Sequence, residues 1–278
     1  MEILFNKKFM DYNQNETRGD GNYRIKEFVD KYPDTPVDFD PMPFIQKVHT
    51  KEYLEFLKSE CETNGYMAEV DLTPETYDLA VLSVGLTILA SETNNFAVCR
   101  PSGHHARANF GMGFCFLNND AIVAKKLLDE GKRVAILDID GHRGDGTQTI
   151  LKNEPNLLLV SIHQKDAYGG NGEKFHGDNA INLVLEPRVS EEKYLEALDE
   201  AISYIKEFNP DIVGISAGFD TYKEDVLLEF DLDVDSYYKI GKKLSENFDN
   251  MFAWLSGGYH NKVKDCVKKF IDGINSIN

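Results

Sequence analysis

RVAILDIDGHRGDGTQ, residues 133–148, changes character at its midpoint. Val134 to Leu137 are continuously apolar, too few for a helix and unbroken by polar alternation, so they predict a strand buried on both faces. Asp138, Asp140, His142 and Asp145 follow among Gly141, Gly144 and Gly146, where the strand must end and a loop begin. Alternation along an extended chain puts Asp138 and Asp140 on one side, with His142 next in line. Carboxylate and imidazole are ligand types for a divalent metal such as zinc. A charged loop after a strand accounts for this stretch equally well by itself, so the other segments decide.

The chain has 278 residues, 42% of them hydrophobic, with no Pro/Ser-rich linker, repeat or low-complexity tract. One globular domain spanning residues 1–278 is the expectation. Thirty Lys and Arg stand against 47 Asp and Glu, a net charge of −17. That field disfavours nucleic acid backbones and anionic membranes and favours cationic small molecules or basic peptides, although solubility alone also explains it. The opening MEILFNKKFMDYN has neither the apolar run nor the basic start of a signal peptide, and no apolar segment reaches membrane-spanning length, so a cytoplasmic location is expected. Cys61, Cys99, Cys115 and Cys266 lack paired spacing and are read as reduced thiols, in the core or on the surface.

Outward from the central strand, residues 2–5 read as a short strand, followed by an irregular polar segment to about Asn22. Residues 23–32 read as a short helix, and the prolines of 33–43 exclude regular helix. Helical spacing returns at 50–58 and 74–93, the latter with Pro74 in its first turn. Residues 96–98 form a brief strand, and Asn118 and Asn119 cap a helix that stops at Gly131. Strands at 157–163, 181–185, 211–216 and 252–255 alternate with helices at 190–208, 234–248 and 263–274. This order predicts an α/β fold, a mostly parallel open sheet with helices on both faces.

In such a sheet, ligands bind beyond the carboxyl ends of the strands. His104 and His105, Asp140 and His142, Asp220, and Tyr259 each follow a predicted strand. One strand-end Asp is more often a cap than a ligand, and one His pair is more often structural than catalytic. Four such groups on one rim make a different case. Asp140, His142 and Asp220 supply three metal donors and leave positions for water and substrate. The two histidines can face that water while Asp138 and Asp145 hold their outer nitrogens, and Tyr259, after a Gly-Gly turn, can approach a developing oxyanion. Metal-assisted acyl hydrolysis is the reaction class that fits.

The segments RPSGHHA (100–106), GFCFLNN (113–119), LDIDGHRGDGTQ (137–148), VSIH (160–163), SAGFD (216–220) and SGGY (256–259), with VHTKEYLEFL (48–57), resemble the zinc-dependent histone deacetylase superfamily. That superfamily includes acetylpolyamine amidohydrolases and acetoin-utilisation proteins. The resemblance implies an arginase-like α/β fold and hydrolysis of an N-acylated amine. It implies one zinc on Asp140, His142 and Asp220, with His105 as general base then acid and His104 as its electrostatic partner. Asp138 would contact His104 and Asp145 His105, while Tyr259 would donate to the substrate carbonyl.

Phe114 and Tyr168 would flank the acyl tunnel, the Gly113 carbonyl would accept from the substrate amide, and Asp71 would be an acid at the rim. Asp138, Asp140, His142, Ser161 and Ile162 would hold a structural potassium. Two positions depart from the pattern. Arg143 stands where most members have a second histidine; a guanidinium there needs an acidic or carbonyl partner and can alter the inner pocket. Arg24 is kept, but without the usual His-Pro lead-in.

Two other readings stay open. An arginase-like ureohydrolase would need a pair of manganese ions and a richer acidic ligand set. A non-catalytic module would bind acylated lysine without turnover.

Overall fold

In the computed structural model, which describes residues 1–12 and 19–277, the chain forms β1 (Ile3–Phe5), α1 (Met42–Ile45), α2 (Lys51–Glu62), a hairpin of β2 (Tyr66–Met67) and β3 (Val70–Asp71), and α3 (Pro74–Thr93). Then follow β4 (Phe96–Val98), α4 (Asn119–Asp129), β5 (Val134–Asp138), α5 (Asp145–Ile150), β6 (Leu157–Gln164), β7 (Phe175–His176) and β8 (Ala180–Leu185). The chain closes with α6 (Glu191–Phe208), β9 (Ile212–Ala217), α7 (Val234–Ser245), β10 (Met251–Leu255) and α8 (Val263–Ile274).

Eight strands make one sheet in the order β1-β4-β10-β9-β5-β6-β8-β7. Every pairing in it is parallel except β7 with β8. All five residues of β5 are buried, as a strand covered on both faces requires. One covering layer contains α3 and α4, the other α6, α7 and α8. Phe96 and Phe219 pack on Phe270 of α8 to join the second layer to the sheet.

The position of β5 places the site. Its ladder partners are β6 on one side and β9 on the other, with Asp138 opposite both Ser161 and Ser216. The chain leaves β5 toward β6 and leaves β9 toward β10, in opposite directions along the sheet. A crevice opens at such a switch point, beyond the carboxyl ends of the strands.

Local signals account for most helix ends. Thr50 and Ser190 accept from the backbone of Tyr53 and Lys193, and Asn118 accepts from Ala121. The expected helix at 23–32 is instead two short 3-10 turns, Asn22–Arg24 and Lys26–Phe28. Ile25 leaves helical geometry between them, because Arg24 is drawn into the core by Asp20 and by the carbonyls of Ser256 and Gly258. The irregular segment ending at 43 gives way at Met42 to α1, whose Pro43 sits in a first turn that needs no amide donor. Of the polar segment before Asn22, residues 13–18 lie outside the described residues. All four cysteines are free and buried. Among the described residues no helix is long and apolar enough to cross a membrane.

Candidate active site

The end of β5 delivers its side chains one after another. Asp138 Oδ1 accepts from the Asp140 N–H at 3.1 Å, and Asp140 Oδ1 accepts from the His142 N–H at 2.9 Å. Each carboxylate thereby folds the loop that presents the next donor. From the neighbouring β9, Asp220 accepts from the Gly141 N–H at 2.8 Å. His142 Nδ1 lies 3.0 Å from Asp140 Oδ1 and 2.9 Å from Asp220 Oδ2.

These three buried residues bring their ligand atoms within 4.8 Å of one another. The donor set fits a divalent cation: two carboxylates and an imidazole, with no fourth protein ligand in the group. Burial, and then the charge on Asp140, push Asp220 up to about 8. A cation between the two carboxylates removes that conflict. Gly257 closes the far side by donating its N–H to Asp140 Oδ2 at 2.6 Å. A Cβ on Gly257 would lie 2.6 Å from the same oxygen and collide with Asp220 as well, so only glycine fits there.

The histidine pair stands beside this triad. His104 Nδ1 is 2.9 Å from Asp138 Oδ2, and His105 Nδ1 is 2.8 Å from Asp145 Oδ1. The rings are 4.0 Å apart. Burial opposes charge on His104, but Asp140 and Asp138 outweigh it and hold the ring well above its ordinary pKa. Burial, and then the charge on His104, push His105 down to about 3 against the pull of Asp145. An imidazole pushed toward its neutral form beside one pulled toward its charged form is an arrangement suited to a base and an electrostatic stabiliser.

Tyr259 follows Gly257 and Gly258 with its ring 6.5 Å from that of His142. Its N–H donates to Asp225 Oδ2 at 2.6 Å, and Arg24 lies 4.9 Å over its ring. Burial holds the phenol well above its ordinary pKa, with Arg24 opposing, so it remains an O–H donor. His105, His142 and Tyr259 all face a pocket of about 420 Å³ walled by Phe114 and Tyr168. Gly113 also lines it; at φ +57° with His105 Cδ2 2.6 Å from where a Cβ would stand, the position requires glycine.

Asp71 does not reach this pocket. It is exposed on β3, paired with Tyr66, and the acid that lines the mouth from this hairpin is Glu69, two residues earlier in the tight turn. Arg143 lies outside the lining residues, its guanidinium beside Gly172 and Asn182. Burial lowers its pKa while Asp145 raises it, and its Nε has no hydrogen-bond acceptor among the described residues. Ser161 and Ile162 are buried on β6, where the Ser161 hydroxyl meets His163 Nδ1 at 2.9 Å.

Among the residues that sequence reasoning missed are Glu69, Asp166 and Leu227 at the mouth, Asp225, which holds Tyr259, and Arg107, which binds the second oxygen of Asp145. For Asp225 the only signal was its place directly before the apolar Val226–Leu228, and such an acid is ordinarily solvated; the others carried none.

An open parallel sheet with a metal-capable triad and two His-Asp couples at its switch point defines a hydrolase-type site. The match to known proteins agrees: residues 36–274 fit the histone deacetylase domain, and the chain belongs to the histone deacetylase family. It is 32% identical to a probable deacetylase of Archaeoglobus fulgidus, over 92% of this chain and 80% of that one. It is 36% identical to acetylpolyamine amidohydrolase 1 of Pseudomonas aeruginosa, over 80% of this chain and 66% of that one. The crystal structure of an acetylpolyamine aminohydrolase from Burkholderia pseudomallei superposes with a TM-score of 0.87 at 24% identity, covering 100% and 99% of the two chains. An HDAC homologue from Aquifex aeolicus gives 0.84 at 21% identity, covering 97% and 82%. These two likenesses concern the fold.

Proposed function

We propose that residues 1–278 act as one catalytic domain, a zinc-dependent amidohydrolase that removes an acetyl or other acyl group from a lysine side chain or another cationic amine. The observation that carries this reading is that His105 and Tyr259 line the same pocket as His142 of the ligand triad. A zinc ion on Asp140, His142 and Asp220 would polarise the amide carbonyl and lower the pKa of water.

The chain's own groups supply the rest. With Nδ1 held by Asp145, His105 has Nε2 free to take a proton from the attacking water and return it to the leaving amine. His104, charged and braced by Asp138, balances the negative charge that develops. The Tyr259 O–H donates to the carbonyl oxygen as it becomes anionic. Phe114 and Tyr168 enclose the aliphatic chain of the amine, and the Gly113 carbonyl accepts from its amide N–H.

Acylated amines are supported as substrates by the names of the acetylpolyamine amidohydrolase relatives. Glu69 and Asp166 at the mouth, with no Lys or Arg among the lining residues, favour a cationic amine. Asp138, Asp140, His142, Ser161 and Ile162 are the proposed holders of a structural potassium; its support is the β5–β6 register that sets Ser161 against Asp138.

The test is a panel of acetyl-lysine peptides, acetylpolyamines and longer acyl-lysines assayed with zinc-reconstituted protein. Acetate or acyl release from at least one class is expected. Binding of an acetylated peptide without release would make the protein a recognition module instead.

A further inference from the structure

The carbonyls of the residues on either side of His105 are both held, and by different elements. The His104 carbonyl accepts from the Thr147 N–H at 3.1 Å, in the first turn of α5 and two residues after Asp145. The Ala106 carbonyl accepts from Asn118 Nδ2 at 2.8 Å, at the cap of α4. Between them stands His105, its Nδ1 2.8 Å from Asp145 Oδ1.

Neighbours on both sides fix the Asn118 amide. Its Oδ1 accepts from the Ala121 N–H at 2.8 Å and from the Thr147 hydroxyl at 3.1 Å. A carbonyl oxygen can meet only a donor, so the NH₂ end must face Ala106. Behind the side chain, the Asn118 N–H donates to His49 Nε2 at 2.9 Å. The residue is fully buried, and a bond lost here is not replaced by water. Helix α5 packs directly on the same turn: a Cβ on Gly146 would come within 2.5 Å of the carbonyl groups of His105 and Ala106.

A helix cap needs only part of this arrangement. Capping α4 asks for one acceptor opposite the Ala121 N–H, which a serine also provides. The bonds to Ala106 and Thr147 add nothing to that cap. They join the turn that carries His105 to the helix that carries Asp145, and the Asn118 side chain touches both.

We propose that Asn118 is a positioning residue for the base: its amide clamps the His104–Ala106 turn to the first turn of α5 and so sets the His105–Asp145 hydrogen bond. The role of His105 as a base rests on the amidohydrolase reading, whereas the clamp is independent of it.

The experiment compares wild type, Asn118→Ser and Thr147→Val. Asn118→Ser keeps an acceptor for the cap but is too short to span to Ala106 and Thr147. Thr147→Val keeps the backbone N–H to His104 and the size of the side chain, and removes only the hydroxyl joined to Asn118. In metal-free protein, proton NMR reads the hydrogen-bonded His105 Nδ1–H, assigned by its absence from His105→Ala. That signal is expected to move upfield, toward a weaker hydrogen bond, in Asn118→Ser and by a smaller amount in Thr147→Val. As zinc-loaded protein, Asn118→Ser is expected to lower kcat about tenfold or more on the best acylated amine with KM within about threefold.

A residue that only capped α4 would produce neither effect. An unmoved His105 signal in Asn118→Ser, or a kcat within about threefold of wild type, overturns the proposal. Should Asn118→Ser fail to fold, Thr147→Val decides by the same signal, and an unmoved one overturns it. If zinc-loaded wild type hydrolyses no acylated amine, the amidohydrolase reading falls, and the signal in metal-free protein alone decides the clamp.

Discussion

Asp225 Oδ2 accepts the backbone N–H of Tyr259 at 2.6 Å while its other oxygen accepts the N–H of Leu227 at 2.8 Å. One carboxyl thus fixes both the proposed oxyanion donor and a residue of the pocket mouth. Removing it leaves a buried N–H unpaired and frees the Tyr259 backbone. Asp225→Ala is expected to lower kcat about tenfold or more on the best acylated amine, and Asp225→Asn, which keeps an acceptor oxygen, to lose less. Equal kcat in all three proteins would remove Asp225 from the account.

Tyr259→Phe deletes one hydroxyl and His105→Ala deletes the base. Each should reduce kcat on an acetyl-lysine reporter by about a hundredfold or more. Unchanged rates in both would rule the proposed chemistry out.

Gly257 permits the close approach of Asp140 and Asp220. Gly257→Ala places a methyl group against both carboxylates and is expected to weaken zinc binding by about a hundredfold or more. The fold should survive, with a far-ultraviolet circular dichroism spectrum like that of wild type. Zinc affinity equal to wild type by competition with a chromophoric chelator would contradict the site geometry.

Metal content separates the two hydrolase readings. Elemental analysis of reconstituted protein should find about one divalent ion per chain, because the described residues contain one group of three suitable ligands. Two ions per chain would favour the ureohydrolase. Bound zinc at about a hundred times its Kd should also raise stability by about 2.7 kcal/mol, read as a shift in thermal midpoint.

Stability should fall in mild acid. Burial lowers His49, His163 and His260 each to about 4 from an ordinary value of 6.5. A histidine depressed in the folded state contributes stability that is present above 6.5 and is lost as pH falls toward 4, since the unfolded chain takes up the proton first. Urea midpoints measured from pH 7 to pH 4.5 should decline across that window. A flat profile would mean that these rings are solvated.

The site shows where sequence reasoning reaches. The apolar runs of β5, β9 and β10 are legible because strands buried on both faces leave no room for polar residues, and Asp140, His142, Asp220 and Tyr259 stand out because they follow those runs directly. Asp71 stands just before the Pro74 helix, roughly where the resemblance sets a rim acid, but it is exposed on β3 outside the pocket lining. Glu69 was hidden because its turn, Ala-Glu, carries none of the Gly or Asn that announces a left-handed hairpin. Residues 23–32 read as helix because local spacing cannot register that Arg24 is pulled inward by Asp20, Ser256 and Gly258, two of them more than 200 positions away.

The sequence alone determined the alternation of strands and helices and the kinds of donor at each strand end, since both follow from burial and ligand chemistry acting over a few residues. Only the tertiary structure decided that β9 lies beside β5, which brings Asp220 to His142. It also decided that Asp225, Arg107 and Glu69 brace the site, because these contacts join segments from 34 to 44 positions apart. Their strength depends on desolvation and distance in the folded chain, and neither quantity is written into local spacing.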